Sequence, residues 1–229
     1  MVARFSMTLA LLAVLAVVAG GCAAAQPGPV AAMPTAPTPL PPPRLSGPLS
    51  LEQALAARRS VREFGPQPLT AEELSQLLWA AQGITHDSGL RTAPSAGALY
   101  PLELYVVSPD GTYRYSPARH DLTPVAAGDR RQALWQVALR QEPVRQAPAV
   151  LVVTAVYERT EAKYGRERTP RYVHLEAGHA AQNLLLQAVA LGVGAVPIGA
   201  FDDAGVQAAL SLPADHRPLY LIPVGHPKR

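Results

Sequence analysis

Residues 102–116 read LELYVVSPDGTYRYS. The runs Leu102–Val107 and Thr112–Tyr115 are rich in β-formers, and they flank Pro109-Asp110-Gly111, a turn-forming triplet. The stretch therefore predicts an antiparallel hairpin. A hairpin set among helices argues for an α+β fold, not for alternating parallel βαβ units.

Working outward, Ser50 with Gln53 and Thr70 with Glu73 each form a capping box. The first predicts a helix to Arg59. The second opens a helix over Ala71–Gln82, where Leu74, Leu77, Leu78 and Ala81 recur at helical spacing. Residues 83–98 carry Gly, Ser, Thr and Pro and read as a loop. Asp129 can cap a helix to about Gln141. Ala149–Val156 is a continuous apolar, Val-rich run, which predicts a strand buried on both faces. Tyr172–Leu191 has the apolar stripe of a long helix. Val193–Ile198 reads as a short strand, Asp202 or Asp203 as the cap of a last helix, and Leu219–Val224 as a final strand.

The chain has 229 residues, 48% of them hydrophobic, too apolar for a wholly disordered protein. One cysteine excludes an internal disulfide framework and an all-Cys zinc site. His174 and His179 are five apart on a helix and do not share a face, so no metal site is expected. Net charge is +3, with 18 of the 20 basic residues Arg. The charges are dispersed, which argues against a nucleic-acid face.

Residues 1–21 read as a signal peptide: a short n-region with Arg4, an apolar run over Phe5–Ala19, then Gly20-Gly21. Cys22 follows directly, and the segment resembles the lipobox of bacterial lipoproteins. That resemblance implies lipidation at Cys22, export and attachment to a membrane of the cell envelope. Residues 22–48, dense in Ala and Pro, read as a semi-rigid tether, which leaves 49–229 as the globular domain.

Three segments carry candidate chemistry. Arg58-Arg59-Ser60-Val61-Arg62 gathers three guanidinium groups and a hydroxyl at a helix end, a donor set suited to phosphate and equally suited to helix-end carbonyls. Pro94-Ser95-Ala96-Gly97 lets a backbone approach a flat ligand closely, or forms a plain surface loop. Gly192–Asp202 places glycines around a strand end and leaves main-chain amides open.

Together the three resemble the flavin site of the nitroreductase family. RRSVREF (58–64) resembles the family's opening motif. Pro94–Gly97 resembles its loop that reaches flavin across a dimer interface. Pro197-Ile198-Gly199-Ala200 resembles the segment facing the flavin ring. The resemblance implies an FMN-dependent oxidoreductase, a mostly antiparallel sheet wrapped by helices, and an obligate homodimer holding FMN at its interface. Lys228 or Arg229 would stand against the FMN phosphate.

PSAGALYPLELYVV and EAGHAAQNLLLQAVALGVG are most similar to the SagB-type dehydrogenase branch, which includes the azoline oxidases. Lys163-Tyr164 is similar to a pair assigned there to substrate deprotonation; a partly buried Lys can serve as such a base. The substrate would be a small molecule or a peptide. Export disfavours a nicotinamide donor and favours a substrate donor with oxygen or a quinone as acceptor. The alternatives are an NAD(P)H-dependent nitro or quinone reductase and a flavin-free binding lipoprotein.

Overall fold

The computed structural model describes residues 36–228. The signal segment, Cys22 and Arg229 lie outside the described residues. In chain order the elements are β1 (Thr38–Pro39), α1 (Leu51–Ala57), α2 (Ala71–Gln82), β2 (Leu102–Ser108), β3 (Gly111–Ser116), β4 (Asp121–Ala127), α3 (Arg131–Val137), α4 (Glu142–Gln146), β5 (Ala149–Ala155), α5 (Tyr157–Tyr164), α6 (Thr169–Leu191), β6 (Gly194–Ala195), α7 (Asp203–Leu210) and β7 (Arg217–Gly225). The seven strands form one sheet in the order β1-β4-β3-β2-β5-β7-β6, every neighbouring pair antiparallel. The fold is α+β, as the hairpin predicts.

Every residue of β5 is buried. Leu151, Val153 and Ala155 face a core shared with Leu77, Leu78 and Ala81 of α2 and Val173, Ala177, Leu184 and Leu185 of α6. Val150 and Val152 face the opposite way, into a second core with Leu134 and Ala138 beside α3, Val144 of α4, and Val206 and Leu210 of α7. The period-two alternation of a strand sends successive side chains to opposite layers. Each fully buried Leu or Val contributes about 1.5–3 kcal/mol, so the uninterrupted apolar run has a direct energetic reason.

Both capping boxes form. Ser50 Oγ accepts from the Gln53 amide and Thr70 Oγ1 from the Glu73 amide, and each partner side chain returns the bond.

Elsewhere the chain departs from the sequence reading. α1 stops at Ala57, since Arg58 has left helical geometry. The helix expected from Asp129 to about Gln141 ends at Val137, because Leu139 and Arg140 take positive φ (53° and 55°), and α4 follows beyond that span. β4 went unread because Pro124 interrupts its pattern; it sits beside a register shift opposite Tyr113. α5, for which the sequence predicts no element, is a helix with one buried residue, Thr160, so it lacks an apolar stripe. α6 starts three residues early with a proline in its first turn. The strand expected over Val193–Ile198 is regular only at Gly194–Ala195.

Residues 38–44 of the proline-rich stretch are bound to the body. Thr38–Pro39 pairs with Leu122–Asp121 of β4, the Leu40 amide donates to His120 O, and Arg44 exchanges backbone bonds with the Gln76 side chain. Ser75 Oγ donates to Pro41 O, with the His120 ring within 2.7 Å of the same hydroxyl.

In the second core the Tyr105 hydroxyl lies 2.6 Å from His216 Nδ1, and both residues are buried. Burial holds His216 below the ordinary imidazole value, as do Arg114 and Arg159; Glu103 and Asp215 oppose it. A depressed His pKa means that the unfolded chain takes up the proton first as pH falls. The stability this site contributes is present above about pH 6.5, the unperturbed value, and is lost as pH drops through the folded pKa. Thermal melts between pH 7.5 and 5 should show this loss, and His216→Asn, which cannot titrate, should remove that part of the slope. Identical slopes for the two proteins would refute it.

Candidate functional site

The candidate segments fall into two groups, built on opposite ends of the sheet. In the first, Ser60 runs parallel beside Ala195, and the Val61 amide donates to Ala195 O at 3.0 Å. The approach is close: a methyl on Gly194 would stand 2.6 Å from Val61 Cγ1. Ala195 pairs with Val224 and Gly194 with Gly225, at the β7 end where β5 begins. The Lys228 amide donates to Glu63 O, which brings the C-terminal strand end to the same segment. Lys228 and His226 line an adjoining cleft of about 580 Å³ with Gly65 and Gly192.

Arg59 bends back on the end of α1, where its Nη1 donates to Ala56 O (3.0 Å) and Arg58 O (2.7 Å). That contact is the helix-end alternative that the sequence leaves open. Among the described residues, none of Arg58, Arg59, Arg62 and Lys228 forms an ion pair. Beyond β6, Ile198 exchanges both backbone bonds with Leu221 (2.8 and 2.9 Å), which pins Pro197 and Ile198 to mid-β7. Gly199 and Ala200 are then exposed, and Gly199 faces open space.

The second group stands where β2 begins and β5 ends. The Pro94–Gly97 loop leads through a short 3-10 turn, Ala96–Ala98, into β2. Gly97 has φ +63°, a conformation that strains any residue with a Cβ. A methyl there would lie 2.9 Å from Lys163 Nζ and 3.1 Å from the Tyr164 hydroxyl. The fold thus brings Lys163 and Tyr164 onto the glycine of the loop, although 66 positions separate Gly97 from Lys163.

Tyr164 packs on Tyr172 of α6 with ring centres 4.5 Å apart. Arg159, one turn before Lys163, donates to Tyr100 O at 3.0 Å and pairs with Glu103 of β2, which fastens α5 to the loop. Lys163 itself is exposed, so a single chain does not supply the burial expected of it. His174 is engaged with the Tyr157 hydroxyl at 2.8 Å.

The strand register separates the two groups. The arginine segment lies level with Ala149 and Val224 and the second group level with Leu102, Ala155 and Arg217, with Pro197 and Ile198 between them beside Leu221. Seven residues of β5 span about 20 Å between those levels, and β6 is three strands from β2, about 14 Å across the sheet.

One polar residue here escaped the sequence reading. Glu176 of α6 is 2% exposed beside the loop, and its Oε1 has no hydrogen-bond partner. Burial pushes its carboxyl up to about 7, against opposing pulls from Ser95 and Arg91. The signal was there: a lone acid on the stripe that carries Val173, Ala177 and Ala181 inward.

The chain is similar to known proteins in sequence and in fold. The family model described as the nitroreductase family matches residues 55–226. A Methanocaldococcus jannaschii protein named as a nitroreductase is 45% identical over 183 residues, covering 77% of this chain and 91% of its own. The crystal structure of a nitroreductase from Ralstonia eutropha JMP134 superposes with a TM-score of 0.74 at 32% identity, over 83% of this chain and 89% of that one. Another, from Desulfovibrio desulfuricans and in complex with FMN, gives a TM-score of 0.60 at 26% identity, over 80% and 88%. Members of the matched family are flavin oxidoreductases. The chain belongs to the nitroreductase family, and it is an oxidoreductase of that family.

Proposed function

We propose that the protein binds FMN between two copies of the chain and oxidises its substrate as a SagB-type dehydrogenase. One observation carries the reading: the arginine segment and the Pro94–Gly97 loop stand at opposite ends of β5 in one chain, too far apart to grip one ring together. A second copy supplies the missing half. Exposed Leu51 and Leu55 of α1 and Leu175 of α6 leave apolar surface for such a copy to cover. The FMN complex of the Desulfovibrio desulfuricans relative supports the choice of cofactor.

The residues present fit that group. Arg58 and Arg62, with the Ser60 hydroxyl, would hold the phosphate and the polar ring edge. Arg59 would join them by leaving the α1 carbonyls, and Lys228 or Arg229 would close the phosphate from the C-terminus. The open backbone at Pro197–Ala200 would face the ring, and Pro94–Gly97 of the second copy would cover it. Bound FMN supplies a ring that accepts a hydride and gives it back. Lys163 Nζ, lying over Gly97, would take the proton from the carbon next to the one that loses hydride, with the Tyr164 hydroxyl beside it. An NAD(P)H-dependent nitro or quinone reductase is the second reading, favoured by the name of the archaeal relative.

An absorbance spectrum of the purified protein after FMN addition should show bound-flavin bands. Arg58→Ala with Arg62→Ala should weaken FMN at least about tenfold, the scale of lost charge-assisted hydrogen bonds. Lys163→Met should keep the bands, yet slow anaerobic bleaching by azoline-bearing peptides about a hundredfold, within the usual range for a lost general base. Fast bleaching by NADPH with none by azolines would instead establish the second reading. Failure to bind FMN would leave a binding lipoprotein.

We further propose that Cys22 carries lipid and holds the domain at a membrane in the envelope. The apolar run ending in small residues before the chain's single cysteine supports this. Metabolic labelling with radioactive palmitate should mark the native protein and leave Cys22→Ala unlabelled. A labelled Cys22→Ala variant would contradict it.

A further inference from the structure

The segment between β6 and α7 is anchored on both sides and, between the anchors, by one side chain. On one side Ile198 exchanges both backbone bonds with Leu221. On the other the Asp202 amide donates to Val137 O, at the end of α3, at 2.9 Å. α7 begins hard against that point: a methyl on Gly205 would stand 2.7 Å from Val137 Cγ1. In between, Gln141 Nε2 donates to Ala200 O at 2.9 Å and to Ala138 O at 3.1 Å. Both partners are carbonyl oxygens, which only accept, so it is the amide nitrogen of Gln141 that faces them.

The elbow that carries Gln141 is strained. Leu139 and Arg140 take φ of 53° and 55° in succession, a region that residues with a side chain enter singly and at a cost. Leu139 is 69% exposed, so burial of its side chain does not offset that cost. The turn closes on α3: the Arg140 amide donates to Trp135 O at 3.0 Å and the Gln141 amide to Ala138 O at 3.1 Å. It thereby brings residue 141 back over the end of α3, where the side chain reaches Ala200, 59 positions along the chain.

Among the described residues, the amides of Gly199, Ala200 and Phe201 have no hydrogen-bond partner, and Gly199 and Ala200 are exposed. The peptide unit is planar, so holding Ala200 O also fixes the Phe201 N–H, which points the opposite way from the same plane. With Ile198 pinned on one side and Asp202 on the other, the row of free donors keeps one direction.

We propose that Gln141 is a positioning residue: by holding Ala200 O it aims the free amides of Gly199–Phe201 at the edge of the bound ring, and so sets how readily that ring takes electrons. The inference rests on the flavin reading of this segment. Donors fixed in advance toward the place where negative charge gathers stabilise the reduced ring over the oxidised one. Losing the tie therefore weakens the hold on reduced FMN selectively.

Two measurements on the purified protein test it. Gln141→Met keeps the length of the side chain and removes the donor. In the flavin-free protein labelled with ¹³C and ¹⁵N, it should move the Ala200 carbonyl and Phe201 amide signals and leave those of β5 in place. In the FMN-loaded protein, it should change affinity for oxidised FMN less than about threefold and weaken reduced FMN about tenfold, the scale of one hydrogen bond. The two-electron reduction potential then falls by about 30 mV. Gln141→Asn keeps the amide but is one methylene shorter; it should fall the same way, and it keeps the test open should Gln141→Met not fold. Unmoved Ala200 and Phe201 signals, or a folded variant with the wild-type potential, would overturn the role of Gln141 alone. Wild-type protein that binds no FMN would overturn the flavin reading, and the aiming role with it.

Discussion

Pairing of β5 with β2 on one side and β7 on the other is the constraint on which the molecule depends. All seven β5 residues are buried, with alternate side chains feeding two cores, so a slip of one residue would exchange the cores for every side chain. The same register fixes where the chemistry sits. It carries Ser60 and Ala195 to the level where β5 begins, and the Pro94–Gly97 loop to the level where β5 ends. Hydrophobic packing thus sets the separation of the two groups of site residues, and that separation is what the proposed pairing of two chains answers.

Each half is shaped by a different device. On one side, close backbone approach at Gly194 lets the arginine segment lie along the sheet edge, and among the described residues none of its arginines forms an ion pair. On the other, Gly97 in left-handed geometry admits Lys163 and Tyr164, and the Arg159–Glu103 pair keeps their helix in place. That pair is partly exposed, and exposed ion pairs contribute little to stability. Its consequence is positional, helped by the bond from Arg159 to Tyr100 O.

Elements governed by local chemistry were legible in the sequence. The Pro109-Asp110-Gly111 turn, the two capping boxes and the apolar run of β5 each have a cause within a few residues. The elements that escaped depend on partners far along the chain. β4 carries Pro124 and is a strand because β3 pairs with it. Thr38–Pro39 is a strand because β4 offers an edge. α5 has no apolar stripe and is held from outside by Glu103 and Tyr100. The break at Leu139–Arg140 reflects two helices turning over one core, which no residue type there announces. For the site, the motifs located the glycines and arginines, whereas Glu176 was hidden inside a helical stripe whose other members are apolar.

The claim that two chains complete each site is tested most directly by mixed dimers. One chain would carry Arg58→Ala, Ser60→Ala and Arg62→Ala, and the other a Gly97→Leu change that blocks the loop. Alone, neither should bind flavin. In a mixed dimer, the intact loop of the first chain meets the intact arginine segment of the second, so the account predicts one FMN per dimer. Mixed dimers without flavin, or a monomer that binds FMN with wild-type affinity, would contradict it.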